Sequence, residues 1–352
     1  MNNAQTSPKV TKETKNKIRV DFERTPFWDR VKAKLVNLYT LKKVVWYLFR
    51  FLLLLGISYV ILFPFFSKIA SSFMAPEDFV DVTVRLIPKH PTLDTYRAII
   101  KDNGYFEALL NTFILSLTCG LIQTFICCVI AYGFAKFKFK GNKILFLCVI
   151  FTMVVPHTTL QLSLFMKFRY FDILNIVKFL GGGIIDAINV TGGETSINFI
   201  NTNWPLYIMS VTGLAYKNGL FIFMLRQFFR NLPDELEESA YLDGSGVFRT
   251  FISIIIPLSV TMMVTVFMFS FCWQWTDNFY TNLFFTTAGD KLLPDIIKIP
   301  KSLDTNYAGQ SLYTSAINNT AGILIIAPLI VLYLFGQKYI VQGIESSGLT
   351  AQ

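Results

Sequence analysis

Five carboxylates crowd one short run of this chain, LPDELEESAYLDGSG, from Leu232 to Gly246: Asp234, Glu235, Glu237, Glu238 and Asp243. The residues that would turn such a cluster into a catalytic or metal centre are missing. There are two histidines, His90 and His157. No His-Glu-x-x-His, Cys-x-x-Cys or Gly-x-x-x-x-Gly-Lys-[Ser/Thr] arrangement is present, and GGGIIDA at Gly181 is not a phosphate loop. Nothing in the pattern argues for catalysis, and if ATP drives work here another chain must hold it. His157 stands beside Pro156 and reads as a helix-packing hydrogen-bonder at a proline kink. A second set of chemically capable groups lies inside apolar runs: Asn111, Gln123, Lys217, Asn218, Trp275, Asp277 and Asn278. Polar groups are costly in lipid, so these must face protein or water. Trp275 with Asp277 suits a sugar, an aromatic face for the ring and a carboxylate to accept hydroxyl hydrogen bonds. The alternative is that these groups brace helices or sit at the outer boundary. Lys217, nine residues before Arg226, can also snorkel inward.

The elements that carry these residues are membrane spans. Charged residues make up 16% of the 352, against about 25% in a soluble domain, and mean hydropathy is +0.48. Residues 51–67, 108–135, 144–166, 195–216, 250–276 and 305–337 contain no Asp, Glu, Lys or Arg. A spanning helix needs roughly 20 apolar residues. The runs predict an all-α polytopic membrane protein with about six transmembrane helices, near 45–66, 109–135, 144–166, 204–225, 258–284 and 319–337. One such run could be a buried core helix of a soluble protein; six could not. The five cysteines, Cys119, Cys127, Cys128, Cys148 and Cys272, all fall in these runs and read as packing residues.

Charge placement orients the spans. Residues 1–50 hold twelve Lys or Arg and four Asp or Glu, and KFKFKGNK (Lys136 to Lys143) holds four Lys and no acid. Positive loops stay in the cytoplasm, which puts both termini and the 226–250 loop there. The outer loops are then about 67–107, 167–203 and 285–318. No cleavable signal is visible. The basic segment 1–44 precedes the spans and leads into them as a possible amphipathic helix on the inner leaflet; its neighbours make a membrane surface, not nucleic acid, the expected partner.

The acidic run is therefore a cytoplasmic connector. Pro233 suits a first helical turn. Asp234 and Glu235 complement the dipole at the N-terminus, and Asp243-Gly244 stops the helix. About ten residues of helix are too few to be stable alone in water, so it needs the membrane body on one side. An ordinary solvated connector would look much the same; the spacing beyond it would not.

Glu238-Ser239-Ala240, Gly244, Ile254 and Ile256-Pro257 match, spacing for spacing, the cytoplasmic signature loop of binding-protein-dependent ABC importer permeases: Glu-Ala-Ala, three residues, Gly, nine residues, Ile, one residue, Leu-Pro. Ser239 and Ile256 are the departures. LIPKHPTLDTYRAI, NTFILSL…AYGFAKFKFKG, FIFMLRQFFRNLPDELEESAYLDG and FGQKYIVQGI…GLTAQ resemble carbohydrate-type members, and WQWTDNF resembles their Trp-Asn-Asp-aromatic segment with the order changed. The resemblance covers roughly 45–175 and 204–350 and is nearest to the maltose-type second permease. The extension over 1–40 is longer than usual, and Ile176 to Asn203 looks like an outer-loop insertion.

The resemblance implies a type I importer fold with a transmembrane permease domain over 45–341, a coupling loop over 226–257 and a cytoplasmic tail over 342–352. It implies a bacterial inner-membrane transporter subunit for a sugar or oligosaccharide. Its partners would be a second permease, two ATPase subunits or domains that bind ATP and Mg, an extracytoplasmic solute-binding protein and membrane lipid. No cofactor would be bound by this chain. Glu238, Ser239, Ala240, Asp243, Gly244, Ile254 and Pro257 would couple it to the ATPase. The alternatives are the same architecture for another solute, such as glycerol phosphate or a modified oligosaccharide, and a polytopic enzyme or receptor.

Overall fold

The computed structural model describes residues 10–13, 19–22, 38–172, 197–286, 292–303 and 310–346. The chain divides into two compact units, Met1–Ser67 and Lys68–Gln352. In the first, Val10–Glu13 (β1) pairs antiparallel with Arg19–Phe22 (β2), Val10 opposite Phe22. Within segment 1–44, residues 10–13 and 19–22 are strands, 38–44 begin a helix, and the rest of the possible amphipathic helix lies outside the described residues. Helix α1, Leu38–Ser72, follows, and its stretch Lys42–Ser72 is long and apolar enough to cross a membrane.

The second unit is built around one long helix. After α2, Asp94–Asp102, helix α3 runs unbroken from Tyr105 to Lys136. It is apolar on all sides, so hydrophobicity cannot decide which face turns inward. Residue size does. Ala108, Thr112, Ser116, Cys119, Gln123, Cys127 and Ala131 are buried, and Phe113, Leu121, Phe125 and Val129 are exposed. Small residues let helix backbones approach where lipid is as apolar as Leu. Onto α3 pack α6 (Trp204–Val211), α7 (Asn218–Arg230) and α9 (Val247–Trp275), and α11 (Gln310–Ser346) packs on α9. Thr265 Oγ1 donates to Tyr339 O (2.9 Å) between α9 and α11.

Two expected spans are not continuous. Over 144–166 the chain forms α4, Asn142–Val154, and α5, Gln161–Arg169, joined by a 3-10 turn at His157–Leu160. The two arms bend by 96°. Pro156 lacks an N–H and pushes Val155 out of the helical region, to φ −67 and ψ 121. Over 204–225, α6 and α7 are separated by Thr212–Lys217, where Gly213 and Lys217 take φ of +74° and +68°. Among the described residues, four helices are thus long and apolar enough on their own, or five with the bent pair, by length and composition. Asp277 and Asn278 lie past the end of α9, before the short α10, Phe279–Phe284. Cys119, Cys127 and Cys128 are buried as expected; Cys148 is exposed and does not pack.

Gly219 is where α7 meets α4. A Cβ there would stand 2.7 Å from Thr152 Oγ1, 2.9 Å from Met153 Cγ and 3.1 Å from the Val149 carbonyl. The backbone oxygen cannot give way. Gly219→Leu is expected to cost about 1–3 kcal/mol, read as a lower thermal midpoint in detergent; an unchanged midpoint would mean the helices do not meet there.

Candidate functional site

The acidic run folds as α8, Glu235–Leu242, with Asp234 as its N-cap residue. It is two residues shorter than the expected ten and starts after Pro233. Its end is set by two hydrogen bonds, Gly244 N–H to Tyr241 O (3.0 Å) and Ser245 N–H to Ala240 O (2.9 Å). That pairing needs a left-handed residue after the C-cap, and Gly244 supplies it at φ +82°. Glu238, Ser239, Asp243 and Gly244 are exposed, while Ala240 is buried. Ile254 sits in a π turn, Phe251–Ile255, and Pro257 follows it inside α9. Pro257 has no N–H to give.

The underside of α8 is held by groups that the sequence does not single out. Tyr132 Oη donates to Glu237 Oε2 (3.0 Å). Lys136 Nζ donates to Leu232 O (2.9 Å) and to Asp234 Oδ1 (2.6 Å), and lies 3.4 Å from Glu237 Oε1. The Lys136 and Glu237 side chains are only 8% and 9% exposed. The Lys136 hydrogen bond and charge hold the exposed Asp234 carboxyl below the usual carboxylate range. Glu237, not its neighbour Glu238, is thus the inward-facing acid of the motif.

A second polar cluster lies along α3, α9 and the α6–α7 break. Gln123, Tyr216, Ser270, Trp273, Gln274, Asp277 and Tyr280 line a cavity of about 10 Å³, room for about one water. Ser270 Oγ donates to Gln123 Oε1 (2.8 Å), and Gln123 Nε2 donates to Ser210 Oγ (3.2 Å). Asp277 accepts the Tyr280 and Thr281 N–H groups at 3.4 and 3.0 Å. The Lys217 ammonium lies over the rings of Tyr216 and Trp273, at 4.6 and 5.5 Å. His157 sits edge-on to Tyr216 and 3.4 Å from Tyr280 Oη, a packing and hydrogen-bonding place beside Pro156.

The expected Trp275–Asp277 pair is divided. Asp277 lines the cavity; Trp275 is 2% exposed, stacks on Phe271 and donates from Nε1 to Ile325 O (3.0 Å). Trp273 takes the cavity position. Asn218 is buried with neither side-chain atom hydrogen-bonded, Asn278 is exposed and accepts from Asn282, and Asn111 is half-buried twelve residues up α3 from Gln123. None of these three lines the cavity. Trp273 stands in the last turn of α9 and, with Asp277 just past that helix's end, lines the cavity, whereas Trp275 points elsewhere.

The chain is similar to several known proteins. The galactooligosaccharides transport system permease protein GanQ of Bacillus subtilis (strain 168) is 25% identical over 305 residues, 86% of this chain and 94% of that protein. The trehalose transport system permease protein SugB of Mycobacterium tuberculosis (strain CDC 1551 / Oshkosh) is 28% identical over 271 residues, 75% of this chain and 84% of its own. Among solved structures, a bacterial ABC transporter involved in the import of the acidic polysaccharide alginate has a chain of similar fold. Its TM-score is 0.60 at 18% identity, with 90% of this chain and 99% of that one covered. These relatives are permease subunits, not enzymes. Residues 124–346, which include α7, α8 and the whole motif, match the binding-protein-dependent transport system inner membrane component family, and the chain belongs to that family.

Proposed function

We propose that this chain is a permease subunit of an ATP-driven importer for a sugar or oligosaccharide. It forms the pathway with a second permease and takes up motion from two ATPase subunits, which bind ATP and Mg, through α8. A solute-binding protein delivers the sugar to the outer face, and both termini are cytoplasmic. The carrying observation is α8 itself: an acidic surface helix, ended by a positive-φ glycine and presented outward on a buried ionic mount. Acidic surfaces pair with basic partners. The substrate names of GanQ and SugB support a carbohydrate, and Trp273 with Asp277 gives an aromatic face and an acceptor at one cavity. Glu238, Ser239, Asp243 and Gly244 would meet the ATPase, with Ala240, Ile254 and Pro257 fixing the loop. The segment 176–203, of which 176–196 lie outside the described residues, would add outer-face contacts.

A second reading, the same machine for an acidic solute, is favoured by Lys217, whose ammonium lies beside the cavity over two of its aromatic walls. One experiment addresses both. The purified chain alone is expected not to bind ATP. With its partners in vesicles, it should take up neutral oligosaccharides in an ATP-dependent way. Preference for uronic-acid oligomers would favour the second reading, and stoichiometric ATP binding by the isolated chain would defeat both. Cysteine labelling of position 12 from outside intact cells would contradict the topology.

A further inference from the structure

Lys136 is the last residue of α3, and on sequence grounds it is one more positive charge at the inner membrane face. A lysine serving only that purpose would extend its ammonium into water. This one is 8% exposed. A buried ammonium is costly unless paired, and every polar partner found for it comes from one short segment: Leu232 O, Asp234 Oδ1 and Glu237 Oε1. One turn earlier on the same face of α3, Tyr132 donates to the other oxygen of Glu237. Tyr132 is itself fixed by the rings of Phe229 and Phe251, with centroids 5.8 and 4.8 Å away. Helix α8 is therefore fastened at two successive turns of a helix more than ninety residues away in sequence.

We propose that Lys136 is a positioning residue that makes α3 the lever of the transporter, so that motion imposed on α8 reaches the cavity wall through α3. The inference rests on the importer reading above. Helix α3 continues without interruption from Lys136 to Gln123 and beyond. The thirteen residues between them span about 20 Å. There Gln123 bonds Ser210 of α6 and Ser270 of α9, and Gln123 and Ser270 both line the cavity. The covalent routes are less direct. Helix α9 contains the π turn at Phe251–Ile255 between α8 and the cavity, and α7 begins only at Asn218, after the break. Helix α8, eight residues long, cannot hold its own orientation in water, so the clamp decides which helix follows it.

The test needs no knowledge of the solute. In the complete assembly in nanodiscs, with Cys148→Ser and Cys272→Ser, a cysteine placed at Tyr216 reports the cavity through its rate of N-ethylmaleimide labelling. With Lys136 in place, ATP plus vanadate should change that rate about tenfold. Lys136→Met should keep the ATPase subunits and hydrolyse ATP, yet the labelling change should shrink to about twofold or less; Lys136→Arg, which keeps the charge, should restore it. A full labelling change in Lys136→Met overturns the proposal. If that variant fails to assemble, Tyr132→Phe decides, because it removes one hydrogen bond to Glu237 and leaves the ion pair. A reduced change there supports the lever, and a full one overturns it. Failure of the importer reading looks different: the native assembly would not hydrolyse ATP, and the lever would fall with it.

Discussion

Gly244→Asp is expected to abolish ATP-driven uptake while leaving the membrane body folded. A Cβ at Gly244 would meet no atom of this chain within 4 Å, so the change causes no internal clash. Its backbone cost, from φ +82°, is about 1 kcal/mol, and Asp is among the residues that bear a left-handed turn best. Helix α8 should therefore persist. What the substitution alters is the exposed end of the helix, where a carboxylate now stands beside Asp243 and fills space a partner would approach. Three variants separate these effects in the purified assembly. Gly244→Ala, carrying the backbone cost alone, should lower uptake modestly; Gly244→Asp should lose uptake together with ATPase retention. Val82→Asp, on a fully exposed outer position (92%), should do nothing. Normal uptake with Gly244→Asp would remove α8 from the coupling role.

Trp275→Ala and Trp273→Ala should fail in opposite ways. Trp275 is buried beside Phe271 and tied to Ile325 O. Its removal empties a large core site and frees a buried carbonyl, a loss of about 3–5 kcal/mol, so little folded protein should be recovered from membranes. Trp273 is half-buried at the cavity, stacked between Phe221 and Phe269. Its loss should leave a folded, assembled transporter whose uptake falls about tenfold, the equivalent of about 1.4 kcal/mol of lost sugar stacking. Thermal midpoint and uptake, measured on both, separate the roles. A stable Trp275→Ala with low uptake beside a normal Trp273→Ala would return the pathway to Trp275.

What could be read from the sequence was what depends on near neighbours. The α8 helix, its acidic start and its glycine stop are encoded within twelve residues, so local capping rules suffice. Apolar length marked where helices lie and Pro156 marked a kink, but not that the turn would reach 96°, because hydropathy averages over the residue that breaks the ladder. The break at Gly213 and Lys217 was hidden in the same way: Gly213 sits inside an apolar run, and nothing in a lysine at the end of that run announces a positive φ. The clamp was illegible for a different reason. Tyr132 and Glu237 are 105 residues apart, and no local pattern announces that a lysine at a helix end will turn inward. Trp273 was hidden because the helix ends at Trp275, and the residue-type pattern does not show where the chain turns toward the cavity.

The π turn at Phe251–Ile255 gives the motif's spacing a geometric meaning. A π turn is an α-helix carrying one extra residue, and one residue is about 100° of rotation. Delete a residue there and the helix closes into regular α form, but everything on its N-terminal side swings round by that angle. Val247, the loop and Gly244 would then address a different direction. The nine residues between Gly244 and Ile254 are thus a phase setting: their number aims α8, while the buried Thr250 and Phe251 among them hold the turn against the core.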